Sequence, residues 1–253
     1  MNKRKIRGAT GVAIVCGLLF VASGVQAQES ADAALNSCVK KEQVLSTAKG
    51  VGLGAIAGIG AMFAVHKTQD AGKAALIGAV AGGIAGFATA YYTAVDTCFK
   101  KNPAWIPESK LERTKDFDSV KHQIGYRADQ GPLTKVRSVR VSAPVTPGGQ
   151  AEVTSDFIVM NPHGDDAPIT IQRKLFVDTD GKETELAFPG GGSQQITVEP
   201  GEQRNVVHIP IPQDAKPGSD YRIEVGVSTE GSPMAVESGR YTVAAGPAVT
   251  AAN

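Results

Sequence analysis

Four histidines, two separated cysteines and a few acidic turns are the residues of this chain with the means to do chemistry. His66, His122, His163 and His208 stand dozens of residues apart. None has a second ligand at the i, i+4 or short-loop spacing that a metal site built on one element needs. Neither Gly-x-Ser-x-Gly nor His-Glu-x-x-His occurs. Asp178-Thr179-Asp180-Gly181-Lys182-Glu183 has the oxygen-rich character of a calcium loop but not the ligand spacing of an EF-hand. An Asp-Gly hairpin turn accounts for it more simply. Asp165-Asp166 reads as a solvated loop. Gly190-Gly191-Gly192 precedes a strand pattern, and a phosphate cradle needs a helix N-terminus. The expectation is a protein that is not an enzyme, with no cofactor and no metal.

Of the three cysteines, Cys16 lies in an apolar leader. Lys3, Arg4, Lys5 and Arg7 precede an apolar run from Gly11 to Val21, and Val25-Gln26-Ala27 is a small-residue cleavage site. Residues 1–27 are therefore expected to be a signal peptide, with Gln28 as the first mature residue. Cys16 falls inside the apolar core and not at its end, which argues against a lipidated cysteine. Cys38 and Cys98 remain, and an exported chain with two cysteines most often pairs them. Free thiols or intermolecular bonds are the alternatives. Without its four leader cations the chain carries slightly more acid than base, from 25 acidic and 26 basic residues overall. No basic block stands out, so nucleic acid is not an expected partner.

Two elements must position the cysteines. Gly50, Gly54 and Gly58 form one small-residue ladder of step four, and Gly78, Gly82 and Gly86 form another. Folding the chain antiparallel about Thr68 brings Gly50 to Gly86, Gly54 to Gly82, Gly58 to Gly78 and Cys38 to Cys98. Such ladders let helix backbones approach closely, and in lipid this is a main source of helix association. Ala48 to Val65 has Lys49 as its only charge, and Ala74 to Val95 has none, so either stretch could span a bilayer. Residues 28–102 are thus expected to form an antiparallel helical hairpin, with the two glycine ladders as its packing interface. Ala48, Gly52 and Ala55 mark a second small face, suited to a neighbouring copy and hence to a homo-oligomer. A low-complexity apolar stretch without a special interface is the plainer reading. Lys40, Lys41, Lys100 and Lys101 flank the hairpin, whereas its turn has Lys67 and Lys73 against Asp70. That distribution opposes the positive-inside preference for an inner-membrane hairpin and favours the outer membrane or a peripheral assembly.

From residue 132 the hydrophobic period changes to two. Val136, Val139 and Val141 begin an alternating run with one slip between the first two. Further strands are expected at 150–160, 168–177, 182–188, 194–198, 203–210, 220–228 and 236–244. Pro-Gly and Asp-Gly signals separate them, which points to an antiparallel β-sandwich of the immunoglobulin-like kind over 132–246. Tyr221 opens a strand where such sandwiches often place a corner tyrosine. Residues 103–131 are expected to be a linker with a possible short helix, and 247–253 a frayed tail. Trp105 reads equally as an interfacial anchor beside a membrane helix and as packing against the next domain. The fold class expected is α + β in separate domains.

The ladder region, about 44–95, resembles the bacterial glycine-zipper two-transmembrane group of SlyB and rickettsial surface-antigen type, through Gly50-xxx-Gly54-xxx-Gly58 and Gly78-xxx-Gly82-xxx-Gly86. That resemblance implies an envelope-integrity or assembly role. Residues 133–245 look like bacterial immunoglobulin-like or fibronectin-like modules, especially at Ile209-Pro210-Ile211-Pro212 and Pro217-Gly218-Ser219-Asp220-Tyr221, and such modules usually act as spacers or binding domains. The combined expectation is an exported, membrane-associated protein of the periplasm. It would assemble with itself, contact membrane lipid and present its sandwich to another envelope protein. A pore or secretion component and a soluble periplasmic adaptor are the competing expectations.

Overall fold

The computed structural model of the chain describes residues 33–44 and 83–245. Helix α1 covers 33–44 and helix α2 Gly83–Lys101. In α2, Ala88, Tyr91, Tyr92, Val95, Cys98 and Phe99 recur at three- and four-residue spacing, so they share one face, and all are buried. Lys100 and Lys101 favour its C-terminal dipole. Pro103 then opens a single 3-10 turn, capped by the Asn102 side chain accepting from the Ala104 N–H.

Nine strands follow: β1 (Lys110–Lys115), β2 (Leu133–Val141), β3 (Gln150–Met160), β4 (Ala167–Thr179), β5 (Lys182–Leu186), β6 (Ser193–Val198), β7 (Gly201–Pro210), β8 (Asp220–Thr229) and β9 (Ala235–Thr242). Helix α3 (Phe117–Ile124) lies between β1 and β2. Its start is fixed by Asp116, whose carboxylate accepts from the Ser119 N–H at 2.7 Å, and its end by Gly125 in the left-handed region. All strand pairing in the two sheets is antiparallel. One sheet has the order β1-β7-β3-β2, and the other β5-β4-β8-β9. Strand β4 is long enough to pair with β6 through its first half and β5 through its second, on the edge away from β8. The expected slip between Val136 and Val139 is a β-bulge, where the register against β3 shifts between Val136 and Ser138.

The sheets stack through their odd-numbered residues. Ala151, Val153 and Phe157 of β3, Val207 and Ile209 of β7, Ile169, Ile171, Leu175 and Val177 of β4, and Tyr221, Ile223, Val225 and Val227 of β8 share one buried core. On the outer face of the first sheet, α3 forms a second, smaller core from Val120, Tyr126, Ile158 and Met160. Two glycines set close approaches. Gly239 of β9 lies so near β2 that a Cβ there would stand 2.8 Å from the Val139 carbonyl oxygen. Gly201 has φ +138°, and a Cβ on it would meet the Lys115 carbonyl oxygen at 2.2 Å.

The segment expected as a linker holds more order than the sequence suggested. It contains the short helix expected there, but also β1, an edge strand of the first sheet. Helix α2 packs on the sandwich, against β4 and β5, and its buried face belongs to the same core as both sheets. The eight strands expected from residue 133 onward all form, with boundaries close to those read from the pattern.

Candidate functional site

Cys38 of α1 and Cys98 of α2 are joined by a disulfide across a separation of 60 residues. Next to it Lys101 donates to Glu42 at 2.6 Å, a second tie between the two helices. Both halves of the clamp rest on the sandwich, for Val39, Cys98 and Phe99 are buried in the main core and Leu35 packs against it. The disulfide thus ties α1, which precedes the glycine-rich segment 45–82, to α2, which follows it.

A cluster of four tyrosines seats α2. Tyr91 meets Tyr92 edge-on at 5.2 Å between ring centroids, and Tyr92 meets Tyr221 edge-on at 6.4 Å. Tyr221 stacks on Tyr241 at 5.1 Å. These are the favourable geometries for aromatic pairs. Tyr92 is fully buried, and its hydroxyl and that of Tyr241, though close to each other, reach hydrogen-bond geometry with no partner among the described residues. Burial pushes the Tyr221 phenol up to about 12 and holds those of Tyr92 and Tyr241 higher still. All three stay neutral at physiological pH, so the cluster serves as packing and not as a source of phenolate.

The other end of the sandwich carries a cleft of about 330 Å³. Met160 and Ala167 are its buried floor. Pro132, Pro168 and Gly231 form its walls, with Asn161, Thr229 and Glu230 as polar groups. The register separates the two ends: Val177 pairs with Tyr221 beside the tyrosines that seat α2, and Ile169 with Thr229 beside the cleft.

Of the residues singled out in the sequence, Cys38 and Cys98 come together as expected. Gly50, Gly54, Gly58, Gly78 and Gly82 lie outside the described residues, as does His66. Gly86 is half-buried in α2, and a Cβ there would meet nothing within 4 Å among the described residues. The part of Ala74–Val95 that is described buries Tyr91, Tyr92 and Val95 against the sandwich. Among the described residues, no helix is long and apolar enough to cross a membrane. Trp105 packs against the main core, the second of its two readings. His122 and His163 are exposed, and His208 lies 3.6 Å from Glu152. No cluster of metal-ligating side chains occurs among the described residues. The acidic turn is a hairpin between β4 and β5, with Asp178 accepting from the Gly181 N–H and Glu183 paired with Arg222 and Arg240.

The sequence reading overlooked two polar arrangements. On the outer face of the first sheet, Asp156 pairs with Arg140 and Arg204, and Glu202 with Lys115 and Arg137. Burial opposes ionisation of both carboxyls. The Arg204, Ser138 and Arg140 hydrogen bonds to Asp156 outweigh it, as do those of Lys115 and Arg137 to Glu202, so both sit below the usual carboxylate range. Between the sheets, Arg173 is 6% exposed and donates from Nη2 to Asn205 at 2.8 Å and Gln194 at 3.1 Å. Its signal was present: in Ile169, Ile171, Arg173, Leu175, Val177 a cation occupies an inward position of an apolar alternation.

No family model matches the chain, and no curated protein matches it. Solved structures overlap its β portion. A family 123 glycoside hydrolase from Clostridium perfringens is 13% identical, with 54% of this chain and 27% of that one covered and a TM-score of 0.36. A DUF4466 family protein from Parabacteroides merdae is 15% identical, covering 45% of this chain and 44% of that one, with a TM-score of 0.29. The CARDB domain of a Pyrococcus furiosus protein, solved with di-metal ions, is 15% identical, covering 46% of this chain and 96% of that one, with a TM-score of 0.30. The chain spans about a quarter to a half of the first two, and overlaps this weak carry no argument about activity or ligand.

Proposed function

We propose that this is a structural or assembly protein of the bacterial envelope, exported to the periplasm. Its glycine-zipper hairpin would associate with further copies at a membrane, and its immunoglobulin-like sandwich would be presented to a partner. The observation that carries the reading is the clamp: α1 and α2, which flank the 45–82 segment, are tied by Cys38–Cys98, and the tie is seated in the sandwich core. Such a clamp fixes the segment to its carrier, as a protein needs when one part assembles and the other displays. The glycine ladders supply the assembly surface, since a missing side chain lets a second backbone approach.

The test is to replace Gly54 or Gly82 with Leu and compare membrane fractionation and detergent-extracted size with the wild type. The reading requires loss of assembly, because overpacking a backbone contact costs about 1–3 kcal/mol or more. Unchanged size and unchanged fractionation for both variants would remove it. One observation favours a second reading, that of a periplasmic adaptor whose hairpin packs only on protein: Tyr91, Tyr92 and Val95 are buried against the sandwich. Recovery of the mature wild type without detergent, as a monomer, would select that reading.

A further inference from the structure

Arg173 stands in the inward register of β4, between Ile171 and Leu175, inside the main core. A guanidinium there keeps its charge at neutral pH, since desolvation lowers its pKa only to about 10. A buried cation is normally matched by a carboxylate, because an unpaired one costs several kcal/mol and an apolar residue of the same volume would do better. Among the described residues no carboxylate pairs with Arg173. Its two acceptors, Asn205 Oδ1 and Gln194 Oε1, are neutral amides, and its Nε is buried with no partner.

Both amides lead outward. Gln194 is half-buried on β6, with no strand beyond it in its sheet. Asn205 donates to the Lys110 carbonyl oxygen of β1, the edge strand of the other sheet. Arg173 therefore lies toward the side of the sandwich where β1 and β6 are the edge strands, a side that residues 103–110 cross from α2 to β1, with Ile106 beside Gly190. We propose that Arg173 is the receptor for a small oxyanion, a carboxylate or phosphate group, bound between the β1 and β6 edges of the sandwich. Nε and Nη2 form one side of the planar guanidinium, the geometry that meets two oxygens of such a group. Nη2 donates to both amides in the structure, so a bound oxyanion takes the place of one of them and meets the unpartnered Nε with its second oxygen.

The test uses the full exported chain with its disulfide intact. Wild type and Arg173→Met are unfolded thermally in sodium phosphate, sodium acetate and sodium chloride at one ionic strength. Phosphate or acetate should raise the wild-type Tm over chloride by about 3–6 °C at ten times its dissociation constant, and leave Arg173→Met unmoved. An effect of acetate assigns the site to carboxylates, and an effect of phosphate alone assigns it to phosphate groups. The Arg173 Nε–H resonance of the wild type, titrated with the same salts, should shift along a saturating curve, and this readout does not depend on the variant folding. Equal Tm gains in both proteins, or an Nε–H resonance that does not move, would overturn the proposal.

Discussion

Tyr92 is the residue through which α2 grips the sandwich, and two substitutions there separate packing from polarity. Tyr92→Ala removes a fully buried ring that touches Tyr91 and Tyr221 edge-on. Deleting a buried aromatic side chain costs about 3–5 kcal/mol, because the transfer term and the cavity left behind add. That is a large fraction of the roughly 5–15 kcal/mol a domain holds in reserve. Tyr92→Phe keeps the ring and deletes only a hydroxyl that is buried without a partner among the described residues. A buried polar group without a hydrogen bond is a liability of about 1–3 kcal/mol, so Tyr92→Phe should be neutral or stabilising. The Tyr92 and Tyr241 hydroxyls are near enough to influence each other's ionisation, yet neither reaches hydrogen-bond geometry with a partner among the described residues. Tyr241→Phe should therefore behave like Tyr92→Phe. Urea unfolding of the oxidised protein, followed by near-ultraviolet circular dichroism, reads all three variants. If Tyr92→Phe lost more than about 1 kcal/mol, the hydroxyl would have a partner, such as an ordered water, and the dry aromatic latch would be refuted.

Four further outcomes are expected. Cys38→Ser with Cys98→Ser should lower stability by about 4 kcal/mol through the released loop, and dithiothreitol should reproduce the loss in the wild type but not in the variant. Gly201→Ala would place a methyl 2.2 Å from the Lys115 carbonyl oxygen at a φ of +138°, so β1 should detach, seen as faster amide exchange in residues 110–115. Gly239→Val would force β9 away from the Val139 carbonyl, and the urea midpoint should fall. The Asp156 and Glu202 carboxyls are depressed in the folded state, so their stabilisation is complete above the unfolded carboxyl range near pH 4 and is lost as pH falls through their folded values. Urea midpoints measured from pH 6 to pH 2 should drop below about pH 4, and Asp156→Asn with Glu202→Gln should flatten that drop.

The strands could be read from the sequence because most of them alternate and are bounded by turn residues. β3 begins and ends where its pattern does, and even the bulge near Val136 left a trace as a slip in period. Strand β1 left none. Lys110, Glu112, Arg113 and Lys115 are charged because the strand is an edge, partnered on one side only, and charges there discourage pairing with another chain. The cysteine pairing was legible because Cys38 and Cys98 are the two cysteines beyond the expected leader. The docking of α2 was written in Ala88, Tyr91, Tyr92, Val95 and Phe99, an apolar stripe at helical spacing, but glycine density drew the eye to helix–helix packing. What the sequence could not convey was the target of that stripe. Periodicity reports which face is buried and carries no information on what buries it.

The tyrosines that seat α2 and the cleft lie at opposite ends of the sandwich, and the strands between them run from one to the other. Antiparallel ladder bonds lie perpendicular to their strands. A pull between α2 and the cleft end would therefore load those bonds sideways and together, in shear, not one after another as in unzipping.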